Sequence, residues 1–69
     1  MPDAFTTENT RGFDAQTLHV LNEAFRILVT EYKGRFAPAT IHRIMMTTWT
    51  GKTTIQRLVN RTRCELLLT

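Results

Sequence analysis

LHVLNEAFRILVTEYKGRFAP, residues 18–38, is the stretch that decides the fold of this chain. Its large apolar residues recur at steps of three, four, three and four positions. They are Leu18, Leu21, Phe25, Leu28 and Tyr32. This spacing predicts a helix that packs one apolar stripe against other helices. Gly34 then predicts the end of that helix, and Pro38 suits the first turn of the next one.

Working outward from this stretch, we predict three helices and no strand. Asp14 is a good N-cap for the first helix, and Gly51 ends the second. Thr53 and Gln56 have the spacing of a capping box at the start of the third. The predicted helices span about residues 14–34, 38–49 and 54–68. The fold class is therefore all-α, a three-helix bundle over residues 13–69.

Residues 1–12 are polar and show little periodicity, so we predict that they form a flexible tail in front of the bundle.

A chain of 69 residues forms one domain and buries only ~60% of the surface that its unfolded form exposes. The single Cys64 excludes an internal disulfide, and His19 and His42 are too far apart to form a metal-binding pair. We expect no metal and no cofactor, which leaves self-association or a partner as the source of additional stability.

No apolar run approaches the ~20 residues of a membrane span. The first residues carry acids and lack the apolar core of a secretory signal. A lone thiol suits a reducing compartment. We expect a cytoplasmic protein without a membrane partner and without a small-molecule substrate.

Charge is distributed unevenly along the chain. Residues 1–34 hold three basic and five acidic side chains, a balance of −2, whereas residues 35–69 hold six basic and one acidic, a balance of +5. Such asymmetry is typical of a surface for nucleic acid or an acidic partner. It is more typical of arginines that cover the solvated side of a small helical domain.

The run Gly51-Lys52-Thr53-Thr54 has the appearance of the end of a phosphate-binding loop. That motif needs a glycine five positions before Gly51, where this chain has Met46. No strand leads into the run either, since the preceding segment has helical spacing. We interpret it as the connection between the second and third helices.

A helix-turn-helix that binds DNA is an alternative for the second and third helices. The basic helix would present side chains that suit phosphates and base edges. They are Lys52, Arg57, Asn60 and Arg61. Against this, Thr50, Lys52 and Arg57 occupy positions that the motif fills with apolar residues, which favours a bundle hairpin.

Apolar residues in excess of one core predict a surface for a protein partner or a second copy. They are Met45, Trp49, Leu67 and Leu68. The alternative for the two leucines is a frayed helix end.

We predict no enzyme activity, because no pair of groups is placed for acid–base catalysis and Cys64 is expected to be structural and partly buried.

Residues 28–44, LVTEYKGRFAPATIHRI, and residues 55–67, IQRLVNRTRCELL, carry a resemblance to a known family. The Gly34-Arg35-Phe36 stop, the Pro38 helix start and the leucine and arginine rhythm after Leu58 are similar to the N-terminal three-helix-bundle domain of actinobacterial low-molecular-weight tyrosine phosphatases and arsenate-reductase-like proteins. The chain departs from that pattern at Ala37, where a hydroxyl side chain would cap better. The resemblance implies the bundle fold and a regulatory role, here in a free-standing copy that binds its partner in trans.

From these observations we predict a non-enzymatic module for protein–protein interaction. It would form a homo-oligomer or bind a separately encoded partner. Because it combines a flexible tail, a basic helix and an apolar patch in a small chain, we hypothesise by analogy that it is the antitoxin-like component of a toxin–antitoxin pair. The alternative is a DNA-binding transcriptional regulator that uses the third helix.

Overall fold

A computed structural model of the protein describes residues 3–69, and that part of the chain folds into three helices without a strand. Helix α1 spans Ala15–Glu31, α2 spans Pro38–Thr48 and α3 spans Ile55–Leu67. Each helix packs against both of the others, in a body of 29 × 25 × 16 Å. The predicted all-α three-helix bundle is confirmed, and each helix is slightly shorter than predicted.

Helix α1 begins and ends where local chemistry requires it. The carboxylate of Asp14 accepts a hydrogen bond of 2.8 Å from the backbone N–H of Thr17, and this bond lowers the pKa of Asp14. At the other end, Gly34 adopts a φ of +85°, and the N–H of Arg35 donates to the carbonyl of Tyr32 at 2.9 Å. Because a residue with a side chain is strained at such a φ, Gly34 suits this turn.

The connection from α2 to α3 corrects one detail of the sequence analysis. Thr54, not Thr53, caps α3, because its hydroxyl oxygen accepts from the N–H of Arg57 at 3.2 Å. The Thr53 side chain is buried and shares a 3.0 Å hydrogen bond with Thr50. The Gln56 amide donates to Asn60 instead of returning to the cap. The predicted capping box is therefore one residue out of register and lacks its reciprocal bond.

The core lies where the three apolar stripes meet. Seven of its fully buried side chains come from the helices, and an eighth comes from the segment before α1. They are Leu21, Leu28, Ile41, Met45, Leu58, Val59, Leu66 and Phe5. Thr62 is also fully buried, and its hydroxyl lies 3.3 Å from that of Thr48. The bond satisfies a polar group that would otherwise be costly to bury.

Phe5 corrects the prediction of a flexible tail. Its side chain is 1% exposed, and its backbone N–H and carbonyl pair with the Asn22 side-chain amide at 2.8 and 3.0 Å. Its ring stacks on His42, whose Nε2 lies 3.1 Å from the carbonyl oxygen of Ala4. Residues 3–12 therefore belong to the packed domain, and we call them the N-terminal hook. Residues 1–2 of the predicted tail lie outside the described residues.

A compact turn holds the hook in shape. Thr6 and Asn9 exchange hydrogen bonds between backbone N–H groups and side-chain oxygens, at 3.0 and 3.3 Å. The buried Thr10 hydroxyl donates to the carbonyl of Thr6. The N–H of Gly12 donates to the carbonyl of Thr7 at 3.1 Å. These local bonds order the hook at the point where Phe5 enters the core.

Candidate interaction surface on the third helix

Helix α3 divides into a buried and an exposed side. At 100° per residue, Leu58, Val59, Thr62 and Leu66 share one arc, and all four are buried. The opposite arc carries six residues, every one of them exposed. They are Arg57, Asn60, Arg61, Cys64, Leu67 and Leu68. We call this set the outer face of α3, and it unites residues that the sequence analysis had assigned to two different functions.

The first half of the outer face is basic. Arg57 and Arg61 lie one turn apart, and Lys52 is exposed in the loop before α3. Arg61 donates from Nη1 to the Thr50 hydroxyl at 2.8 Å, and Thr50 is in turn bonded to the buried Thr53. The loop thus holds the Arg61 side chain in one place without neutralising its charge.

Ion pairs involve other cations in the described residues. They join Arg26 to Glu23 within α1 and Arg63 to Glu31 between α3 and α1. Arg63 donates from Nε and Nη2 to the two Glu31 carboxylate oxygens, both at 2.7 Å. This bond lowers the pKa of Glu31 and raises the pKa of Arg63. Arg63 is one of the six basic side chains of residues 35–69, but in the structure its charge is paired with Glu31 on α1.

Asn60 is oriented by its neighbours. Its Oδ1 accepts from Gln56 Nε2 at 3.1 Å and from Arg63 Nη1 at 3.0 Å. An asparagine that reads an adenine edge uses both its acceptor and its donor. The acceptor of Asn60 is already engaged, so this residue is poorly prepared for the role in base recognition that the DNA-binding alternative gave it.

The second half of the outer face is apolar. Leu67 is 70% exposed and Leu68 is 82% exposed. Cys64 lies one turn before Leu68 and is exposed as well, which corrects the expectation of a partly buried thiol. The physical reason is its position on the helix, since Cys64 points away from the arc that holds Thr62 and Leu66.

The four residues predicted to bind a partner do not form one surface. Met45 is fully buried in the core, because it follows the buried Ile41 by four positions on the same side of α2. Met45 is therefore corrected to a core residue. Trp49 is partly buried and packs on the core, with its ring 6.2 Å from that of Phe13. Leu67 and Leu68 are the members of the set that lie on the outer face.

The described residues 3–69 contain neither a metal-binding cluster nor a membrane-spanning helix. In residues 3–69, no three His, Cys, Asp or Glu side chains lie close enough together to hold a metal ion. A shallow groove of about 360 Å³ runs beside the hook, with Phe25 and Val29 among its lining residues. Among the described helices, none is both long and apolar enough to cross a membrane.

Sequence reasoning missed one residue that supports the site. Thr50 positions Arg61, and no pattern in the loop indicated that contact. The exposure of Ile27 on α1 was missed as well, since this residue is 42% exposed although it adjoins the buried Leu28. The outer face could have been predicted from residue spacing. Arg57, Arg61, Cys64 and Leu68 follow each other at steps of four, three and four, which places them on one side of a helix.

The protein is therefore an all-α three-helix bundle in which one helix surface is basic at one end and apolar at the other. No protein-family model, curated protein or solved structure matches the chain. The resemblance to the N-terminal bundle of actinobacterial tyrosine phosphatases therefore stays a prediction.

Proposed function

We propose that this protein is a non-enzymatic interaction module that binds a protein partner through the outer face of α3. The single observation that supports this most strongly is the exposure of Leu67 and Leu68 beside Cys64 on a helix whose other side is fully packed. Adjacent apolar side chains of this size are costly to leave in water, and covering them stabilises a complex.

The basic half of the face adds specificity to this function. Arg57 and Arg61 are exposed beside the apolar end of the same helix. Charged groups around an apolar contact speed association and select among partners more than they add affinity. An antitoxin bound to its toxin is one instance of such a module, and regulation of a separately encoded enzyme is another.

Light scattering on the tagged protein, isolated from its own cells, tests the function. We expect a species clearly larger than the 8.0 kDa chain. Leu67→Glu should dissociate that species while circular dichroism shows unchanged helicity, because Leu67 is exposed in the domain itself. His19→Glu, an exposed site on α1, is the matched control and should retain it. A monomeric species with the wild-type sequence would contradict the function.

DNA binding is the second candidate, and the anchoring of Arg61 to Thr50 favours it. An Arg61 guanidinium oriented by Thr50 would contact phosphates at low entropic cost. If this function holds, Arg57→Ala and Arg61→Ala should weaken binding to duplex DNA and flatten its dependence on salt. Absence of binding to genomic fragments at low salt would remove this candidate.

A further inference from the structure

The outer face of α3 changes its chemistry along its length. Arg57 and Arg61 occupy the first two turns, Cys64 the middle and Leu68 the end. At 1.5 Å per residue, Arg57 and Leu68 are roughly 16 Å apart along the axis. A complementary surface must therefore present anions at one end and apolar groups at the other, over about three helical turns.

The two arginines of the outer face, and Lys52 in the loop before α3, remain available for a partner. Lys52, Arg57 and Arg61 form no ion pair in the described residues. Glu65, at the edge of the face and one turn after Arg61, is the acid on this stretch of helix. Three positive charges against one leave the basic half with an excess that a partner carrying carboxylates would neutralise.

A second copy of the chain does not complement the whole length of this face. In a symmetric antiparallel pair centred between Arg61 and Cys64, the Arg57 side chain of each copy would meet Leu68 of the other. A parallel pair would place each arginine against the same arginine of its partner. Both arrangements put guanidinium groups beside apolar groups or beside like charges, which disfavours association.

Nucleic acid fits only half of the face. Phosphates suit Arg57 and Arg61, but they offer nothing to Leu67 and Leu68, which are the most exposed large apolar residues. The occupied acceptor of Asn60 also limits base recognition.

We propose that the partner of the outer face is an acidic amphipathic helix, an inference that rests on the proposed function. Its carboxylates would lie against Arg57 and Arg61, and its apolar side chains against Leu67 and Leu68. This is the helix-docking mode of peptide recognition, with charge setting the direction in which the partner helix runs.

A designed helical peptide of about 18 residues, long enough for three turns and its ends, tests the inference. One face carries glutamates in one half and leucines in the other, and a fluorescent label reports binding by anisotropy. The first control peptide has lysines in place of the glutamates, and the second has alanines in place of the leucines. We expect the acidic peptide to bind, and both controls to bind about tenfold more weakly or not at all.

A charge swap in the protein provides the decisive comparison. Arg57→Glu combined with Arg61→Glu should abolish binding of the acidic peptide and allow binding of the lysine peptide. Arg57→Lys combined with Arg61→Lys keeps the charge and should retain the original preference. Circular dichroism of both variants checks the fold, which neither should change because both positions are exposed.

Three results would overturn the inference. In the first, a short duplex DNA binds the protein more tightly than the acidic peptide does. In the second, the protein self-associates and this requires Arg57 and Arg61. In the third, the acidic and lysine peptides bind with equal affinity.

If the acidic peptide does not bind while light scattering still shows a complex that Leu67→Glu dissociates, the partner class is wrong and the interaction function stands. If the wild-type protein is also monomeric, both are wrong.

Discussion

The ring of His42 on α2 stacks on the ring of Phe5, with centroids 4.1 Å apart and planes within 6° of parallel. Phe25 on α1 meets the same Phe5 ring edge-on, at 5.7 Å and 83°. Phe5 therefore joins two helices from a position outside both, and the N-terminal hook is a structural part of the domain.

Phe5→Ala should destabilise the domain strongly. Removing a fully buried phenylalanine costs roughly 3–5 kcal/mol, as much as the core of so small a domain supplies in total. Urea unfolding followed by circular dichroism should show a large drop in midpoint or the loss of a cooperative transition. Glu8→Ala, at an exposed site in the same hook, is the control. Equal midpoints for the two variants would show that the hook does not stabilise the bundle.

Asn22 should hold the hook through its side-chain amide. Asn22→Ala removes both partners of the Phe5 backbone, and each unsatisfied buried group costs about 1–3 kcal/mol. Hydrogen exchange of the Phe5 amide should accelerate sharply in this variant. Asn22→Asp keeps an acceptor for the Phe5 N–H but loses the donor to its carbonyl, so its exchange rate should be intermediate. Unchanged protection in Asn22→Ala would contradict the paired geometry.

Residues 28–38 show which features can be predicted from the sequence. The spacing of apolar residues, the turn at Gly34 and the helix start at Pro38 depend on local backbone geometry. The helices and their order could therefore be predicted. The hook could not be predicted in the same way. Its contact with Asn22 spans 17 positions, and neither a polar composition nor an isolated Phe5 indicates where such a ring will pack.

The candidate site was predicted in part for the same reason. Exposure of Leu67 and Leu68 followed from the helical period, because one arc of α3 cannot bury every leucine. The ion pair of Arg63 depends on which side chain of α1 faces α3, and Glu31 is 32 positions away. Met45 was wrongly predicted to lie on a partner surface because its large apolar side chain was assigned to the excess over the core. It lies on the side of α2 that faces the core.

The pair formed by Glu31 and Arg63 should make stability depend on pH. The pKa of Glu31 is lowered in the folded protein by the hydrogen bonds from Arg63. A carboxyl with a lowered folded pKa stabilises the protein above its unfolded pKa, and that contribution is lost as pH falls through the folded value. Stability should therefore decline below about pH 4.5, the ordinary value for glutamate.

Urea midpoints measured between neutral pH and acid test this dependence. Glu31→Gln should lower stability slightly at neutral pH and flatten the acid decline, with the slope due to Asp14 remaining because the pKa of Asp14 is lowered too. Glu23→Gln removes the exposed pair within α1 and serves as the control. An acid decline as steep in Glu31→Gln as in the wild type would exclude a role for the Arg63 pair.

The register of the α3 cap can be tested by comparing two substitutions. Thr54→Ala should destabilise the protein by about 1 kcal/mol, because it removes the acceptor for the N–H of Arg57. Gln56→Ala should have a much smaller effect, since Gln56 bonds to Asn60 on the surface and not to the cap. Thermal unfolding distinguishes the two. Comparable losses in both variants would favour the capping box that the sequence suggested.

The outer face of α3 carries the functional account, and a photo-crosslinking amino acid at position 68 tests it most directly. The variant is expressed in the native cells and irradiated, with the same group at His19 on α1 as the control. We predict one discrete protein adduct from position 68, absent from position 19 and lost when Arg57→Glu and Arg61→Glu are added. No adduct from position 68, or the same adducts from both positions, would contradict the claim that this face binds a partner.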